Sequence, residues 1–291
     1  FSDLGTLYIA WKKHDLAIES YMDGFEIPDL HPVAKALLEM NLAKIYWEKD
    51  EYQNALKWGH RAEETLHFCI DENLHWESHL RYGLNANILG SVYEGEGKSE
   101  LAESYFQKSL EALKTHFGDD TNRREFAKVH LAMGIFYSEN DKLDESLEYF
   151  QKALSNLLPS FNNTDPKINP NPSSFYAENT LIDALENKGN TWAKYYKKSG
   201  NEAHLKNALE CHELAFLAEE VYRKVHRFRS SKLDVIEGTY FRSEEAIKIA
   251  LKYACEFQND SQKAKAFSFA EKSKSILLFE ALKHSNAKYF D

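Results

Sequence analysis

Four segments of the chain repeat one set of intervals, and those intervals restrict what it can fold into. Leu4-Gly5 with Tyr8, Leu42-Ala43 with Tyr46, Leu89-Gly90 with Tyr93, and Met133-Gly134 with Tyr137 each place an apolar residue, a small residue and a tyrosine on one helical stripe. Twelve residues after each small residue stands another: Ala17, Ala55, Ala102, Ser146. Seven further on a third follows (Gly24, Ala62, Ser109, Ala153), with Tyr21, Phe106 and Phe150 between the last two in three of the four segments. The intervals hold while the intervening residues vary, which is the mark of one structural unit repeated as a helical solenoid. Small residues twelve apart on two antiparallel helices let the backbones approach, and the tyrosine fills the groove this leaves. Polar stretches such as Glu48-Lys49-Asp50-Glu51 and Gly95-Glu96-Gly97-Lys98 supply the turns.

The small positions follow one another at 38, 47 and 44 residues, so the helices extend past the core of each hairpin. Four of the six prolines lie between Pro159 and Pro172 in a stretch rich in asparagine and serine. Residues preceding proline avoid helical angles, so 159–173 is expected to form a long surface loop that divides the array into 1–158, with four repeats, and 174–291, with looser ones. A fifth unit is drawn on Leu185, Gly189 and Trp192 with Ala208, His212 and Ala215, seven residues longer around Lys197–Asn201. A sixth is drawn on Ala254 and Phe257 with Ala266, Ala270 and Ser273. The fold class expected is all-α: a right-handed superhelix of about five to six helical hairpins.

The chain has no run of about 18 uncharged apolar residues and its start does not read as a signal peptide. Cys69, Cys211 and Cys255 form no metal spacing and leave one unpaired, which suits a reducing compartment, so a cytoplasmic location is expected. A chain opening at Phe1, with a helix almost at once, is expected to be cut from a longer protein. Residues 1–173 hold 17 Lys+Arg against 29 Asp+Glu, whereas 174–291 hold 19 against 17. That acidic first part argues against nucleic acid as the main ligand and for basic or neutral peptides. The basic cluster Arg223, Lys224, His226, Arg227, Arg229, Lys232 is read as a helix end opposing the dipole, followed by a solvated loop.

Three candidates for chemistry fail on spacing. His75 and His79, with His67 and Cys69 nearby, lack the glutamate and third ligand of a catalytic zinc site, since Trp76 follows the first histidine. Cys211 and His212 are adjacent on a helix and point about 100° apart, so they do not form a nucleophile and base pair. Gly95 and Gly97 lie in an interhelical turn with no strand before them. The expectation is no enzyme activity in this chain, no metal and no cofactor.

The Leu-Gly-x-x-Tyr and Ala-x-x-x-Phe series resembles the tetratricopeptide repeat over residues 1 to about 158. Departures are Ala43 for the first-helix glycine, Gly59 for the second-helix aromatic, Ser146 for the alanine, and the missing tryptophan. The resemblance implies protein or peptide binding on a concave face built by the first helix of each repeat. Carried over residue by residue it points to Met40, Lys44 and Trp47; Asn87, Ser91 and Glu94; Lys128, Leu131, Ile135 and Ser138; and Glu186 and Asn190. That set is mixed and poor in cations, so an extended segment or helix held by mixed contacts is expected rather than a carboxylate clamp.

The last helix, from Ala266-Phe267 through Ala270-Glu271-Lys272-Ser273-Lys274, Leu277-Leu278 and Glu280-Ala281-Leu282, is similar to the junction that ends the repeat array of CHAT-domain proteins, where a caspase-like cysteine peptidase follows. What that resemblance implies is an interaction scaffold and sensor for an attached protease; helical spacing leaves Ile276 and Phe279 pointing away from both packed faces, so they are expected to dock the downstream domain. A stand-alone peptide-sensing regulator, and the repeat part of a CRISPR-associated or other defence protease gripping an effector complex, are the alternatives.

Overall fold

The computed structural model describes residues 1–225 and 229–271, with the backbone alone at 10 and 229–241. Every regular element among them is helical. The helices are α1 (Ser2–Ala10), α2 (His14–Gly24), α3 (Pro32–Glu48), α4 (Tyr52–Asp71), α5 (Ser78–Gly95), α6 (Ser99–Phe117), α7 (Arg124–Glu139), α8 (Leu143–Leu157), α9 (Asn179–Ser199), α10 (Glu202–Val225) and α11 (Arg229–Glu256). A twelfth, α12, begins at 260 and is described to 271. No helix among the described residues is long and apolar enough to cross a membrane. The chain divides into two compact units, Phe1–Phe136 and Tyr137–Asp291.

In the first unit, α1 packs on α2, α3 on α4 and α5 on α6, and each hairpin stacks on the next through α2 on α3 and α4 on α5. First helices also touch each other directly, α1 on α3 and α3 on α5. The small residue of the first helix is where the hairpin closes. A Cβ built at Gly90 would lie 2.6 Å from the ring of Phe106, and one at Gly5 would overlap the ring of Tyr21. The groove left by the glycine is therefore filled by the aromatic of the second helix, sixteen residues on, rather than by the tyrosine three residues on. Phe106 and Tyr21 are fully buried in consequence. The second hairpin lacks that aromatic and closes differently. Its Ala43 faces Gly59 across the helices, and Leu89 from the next hairpin fills the space, 2.6 Å from where a Gly59 Cβ would stand.

Each hairpin turns at a fixed place, seven residues after the small position. Lys12, Asp50, Gly97 and Asp141 all have positive φ, at 54°, 57°, 74° and 63°. The next residue's N–H then bonds back to the tyrosine carbonyl: Lys13 to Tyr8, Glu51 to Tyr46, Lys98 to Tyr93 and Lys142 to Tyr137, at 2.8 to 2.9 Å. This six-to-one bond satisfies a carbonyl that the ending helix leaves open. The tyrosine position thus does two jobs, its ring packed in the hairpin, buried at Tyr93 and Tyr137 and half-buried at Tyr8 and Tyr46, and its carbonyl in the turn.

In the second unit, α8 packs on α9, α9 on α10 and α10 on α11, while Phe216 of α10 stacks on Phe269 of α12 at 4.9 Å. The fifth hairpin keeps the same closure with His212 as its aromatic: a Cβ at Gly189 would lie 2.9 Å from the imidazole. Its left-handed turn residue is Gly200, eleven rather than seven after the small residue. The seven extra residues are split between the two helices as one additional turn on each, so Gly189 and His212 remain opposite one another.

The stretch 159–173 belongs to the second unit and is tied down by two buried side chains. Asn163, Asp165 and Asn171 turn the backbone by accepting the N–H two residues on, from Asp165, Lys167 and Ser173. Gln151 donates to the carbonyls of Asn163, Asp165 and Ile168 at 2.8, 2.9 and 3.1 Å. Lys188, wholly buried, donates to Gln151 Oε1 at 2.7 Å, Asn169 Oδ1 at 2.8 Å and the Ile168 carbonyl at 3.3 Å. These acceptors are all uncharged, and burial pushes the ammonium below the ordinary lysine range.

Two consequences are measurable by thermal denaturation. Gly90→Leu must displace a buried ring and is expected to cost about 1–3 kcal/mol, whereas Gly97→Ala, which meets nothing within 4 Å, costs about 1 kcal/mol through its backbone angle alone. Equal losses would refute the ring closure. Lys188→Met leaves Gln151 Oε1 without a donor and Asn169 Oδ1 with the Cys211 thiol alone, and is expected to cost about 1–3 kcal/mol. Limited proteolysis of that variant is expected to cut within 159–173 faster than in the wild type.

Candidate peptide-binding face

With the closure of each hairpin consuming the small and aromatic positions, the remaining first-helix positions are free to face outward. On α3, Lys44 is exposed and paired with Glu48 at 3.6 Å, and Trp47 is half-buried. On α5, Asn87, Ser91 and Glu94 are half-buried. The Asn87 carbonyl oxygen is shielded from solvent and has no hydrogen-bond partner. On α7, Lys128, Leu131 and Ile135 are half-buried. Met40 is different: at 5% exposure it packs with Ala36, Ala62 and Leu66, so it is a core residue and offers no ligand surface.

In the second unit Ser138 is also buried, its hydroxyl accepting from Thr191 at 3.1 Å and its carbonyl from Lys194 at 3.2 Å. Its role is to tie α7's last turn to α9. Asn190 is half-buried, and Glu186 is held by Arg242 at 2.8 Å. Ile276 and Phe279 lie outside the described residues, as do His226 and Arg227 of the basic cluster; its Arg223 and Lys224 end α10, and its Arg229 and Lys232 begin α11 rather than continuing a loop.

The second helices add a row that sequence reasoning missed. In the third hairpin Tyr93 stacks on Tyr105 at 5.3 Å, with Lys98 over the first ring and Lys108 over the second, at 5.6 and 4.1 Å. The fourth repeats this: Tyr137 on Tyr149 at 5.1 Å, with Lys142 and Lys152 at 5.4 and 4.3 Å. The signal was present, since the second tyrosine and its lysine stand fifteen and eighteen residues after the small position in both. Beside the first pair, Glu63 accepts from Tyr105 at 3.0 Å and meets His60 Nδ1 at 3.0 Å, while His60 Nε2 lies 2.8 Å from the Tyr93 hydroxyl. Burial alone would raise the Glu63 carboxyl, but the bonds from His60 and Tyr105 outweigh it and lower it. Burial and the Glu63 charge push the Tyr82 hydroxyl up to about 12.

The histidines and cysteines considered for chemistry are occupied by packing. His67 lies against Tyr82 at 4.8 Å, His75 Nδ1 accepts from the Glu77 N–H at 3.1 Å, and Cys69 is a buried thiol raised by burial. Among the described residues no group of three His, Cys, Asp or Glu side chains is placed to hold a metal. Burial carries the Cys211 thiol to about 11, and its sulfur contacts Asn169 Oδ1 at 3.6 Å rather than His212.

Charge in the second unit is concentrated at Arg242, which no local pattern announces. It pairs with Glu186 of α9 and, at 2.7 Å, with the buried Glu219 of α10. Burial lifts Asp183 to about 6 against the pull of Arg242, and burial together with the Arg242 charge drops His212 to about 4.

The hairpins can now be compared with known ones. A family model described as tetratricopeptide repeat matches residues 86–112 and 127–156. The two matched segments are similar to tetratricopeptide repeats. They take in the second half of α5 with most of α6, and most of α7 with most of α8, where the small, tyrosine and aromatic positions are most regular. No curated protein matches the chain. Among solved structures, BtubC (BKLC) from P. vanneervenii is similar at a TM-score of 0.59 and 13% identity, over 94% of this chain and 92% of that one. At that identity the likeness shows the fold alone.

Asp183 and His212 give opposing pH dependences. Between pH 4 and 6.5 the unfolded imidazole holds a proton the folded one lacks, so His212 makes the fold less stable on acidification. Between 3.8 and 6 the folded Asp183 carboxyl holds a proton the unfolded one has lost, so acidification through that range favours the fold. Asp183→Asn removes the counterweight. Its denaturation free energy is expected to fall more steeply than the wild type's from pH 6 to 4, by about 2 kcal/mol; parallel profiles would exclude Asp183 from the balance.

Proposed function

We propose that this chain is a protein-interaction scaffold whose first-helix face in the unit 1–136 holds an extended peptide segment of a partner. The observation that carries the reading is the run of side chains that α3, α5 and α7 leave half-buried or exposed at equivalent first-helix positions. Side chains presented in series by stacked helices offer an extended segment successive contacts. Trp47, Leu131 and Ile135 supply apolar contact, and Lys44, Ser91, Glu94 and Lys128 polar contact, from the same set of first helices. The tetratricopeptide match supports binding of a protein partner in general.

The finer reading is a regulatory one: scaffold and sensor for a caspase-like CHAT-type protease in the same polypeptide, working in the cytoplasm. Its support is the sequence resemblance of residues 230–288 alone. A coding sequence continuing past Asp291 into a domain with a His and Cys dyad is expected; a continuation without one sinks this finer reading and leaves the scaffold reading standing.

For the scaffold reading, a displayed library of random peptides is selected against the purified chain, and the winners are titrated by fluorescence anisotropy. Asn87→Leu combined with Ser91→Arg is expected to weaken them at least tenfold while circular dichroism is unchanged. Peptides that bind the double variant with full affinity would place recognition elsewhere.

A further inference from the structure

One cavity lies away from the first-helix face, at the connections that lead from one hairpin to the next. The α4–α5 connection and the start of α5 supply Trp76 and His79; the end of α6 and the α6–α7 connection supply Thr115, His116, Phe117 and Arg123. The space is open and measures about 500 Å³, within the range of small-molecule sites.

Its most unusual wall is Trp76, whose 71% exposure is an unfavourable place for an indole. The ring is nevertheless held: it stacks on His116 at 5.3 Å with 24° between planes, and on His75 at 6.0 Å with 28°. His75 is itself fixed, because its Nδ1 accepts the Glu77 N–H. Opposite charge is supplied by Arg123, whose guanidinium lies over Phe117 at 5.4 Å and bonds to Asp120 at 2.5 Å. One oxygen of Asp120 leaves most of the five guanidinium N–H donors unused. No carboxylate lines the cavity, in a chain whose net charge is −10.

A bare anion would make no use of a positioned indole, and a neutral aromatic none of the guanidinium. The combination fits a flat ring that carries an anionic group. We propose that this cavity is a second ligand site that takes a heteroaromatic phosphate of mononucleotide size, its ring against Trp76 and its phosphate toward Arg123, His79 and His116. Stacking fixes the ring without reading its edge, and the guanidinium offers two parallel N–H bonds to phosphate oxygens.

The test is titration of AMP into the purified chain, followed by calorimetry and tryptophan fluorescence, with adenosine and inorganic phosphate as the partial ligands. Saturable binding of AMP is expected, at least tenfold tighter than either part alone. Trp76→Ala is expected to weaken AMP tenfold or more. Arg123→Gln weakens AMP at least fivefold and leaves adenosine unchanged. The Asn87→Leu, Ser91→Arg variant binds AMP like the wild type, which separates this site from the first-helix face. Trp76 and Arg123 are both exposed, so their variants are expected to fold, as circular dichroism will register. No saturable AMP binding up to millimolar concentration, or binding unchanged in both site variants, overturns the proposal.

Discussion

The close approach of a second-helix ring to a first-helix backbone is the contact on which the rest of this molecule depends. Tyr21 on Gly5, Phe106 on Gly90 and His212 on Gly189 occupy space that any Cβ would contest. Because the ring lies against backbone rather than against a flexible side chain, the separation of the two helices is fixed to within a few tenths of an ångström. That separation sets how the turn must close, which is why the left-handed residue recurs seven positions after the small residue in four hairpins. The fifth shows the order of priority. It lengthens both helices by one turn and moves its left-handed residue to Gly200, yet keeps the ring opposite the glycine. The second hairpin makes the same point by exception, since Ala43 and Gly59 exchange roles and Leu89 closes the gap from outside.

Much of this was legible in the sequence because tight contacts leave fixed intervals. The hairpins, their number in the first half, and the lengthened fifth unit all follow from counting between small residues. The identity of the filler was not legible from spacing alone: Tyr93 and Phe106 are both aromatic, and only geometry shows that Phe106 sits on the glycine while Tyr93 stacks on Tyr105. Met40 failed for a related reason. Its position faces outward in a regular repeat, but the α4 of this chain carries Ala62 and Leu66 with room beside them, and a flexible thioether fills that room.

The proline-rich stretch shows what composition cannot reveal. Asparagine, serine and proline describe a chain that does not form helix, and residues 159–171 do not. They do not reveal that Gln151 and Lys188, one on each of two neighbouring helices, reach the backbone of that stretch from beneath. A glutamine and a lysine read by type as solvated, although Leu147 and Leu154 flank Gln151, and Leu185 and Trp192 flank Lys188, at helical spacing. Arg242 escaped notice likewise: its partners Glu186 and Glu219 stand 56 and 23 residues away, and ion pairs at that range leave no periodic trace.

These constraints also explain where recognition chemistry can reside in such a chain. The small, tyrosine and aromatic positions are fixed by closure, and the left-handed position by the turn, so none of them can vary without cost to the hairpin. Two classes of position escape. On the first helix the residues one and four after the small one differ from hairpin to hairpin where they are not buried: Lys44 and Trp47, Ser91 and Glu94, and Ile135. Between hairpins the connections differ in length and carry residues with no counterpart in the other repeats, Trp76 and Arg123 among them. The first class presents a row of contacts spaced by the stacking of helices, which matches the repeat of an extended chain. The second brings together side chains from two neighbouring connections around one point, which matches a compact ligand. A repeat whose interior is this tightly specified thus has two chemically distinct places in which to vary, and this chain has placed an unpaired carbonyl in one and an uncovered indole in the other.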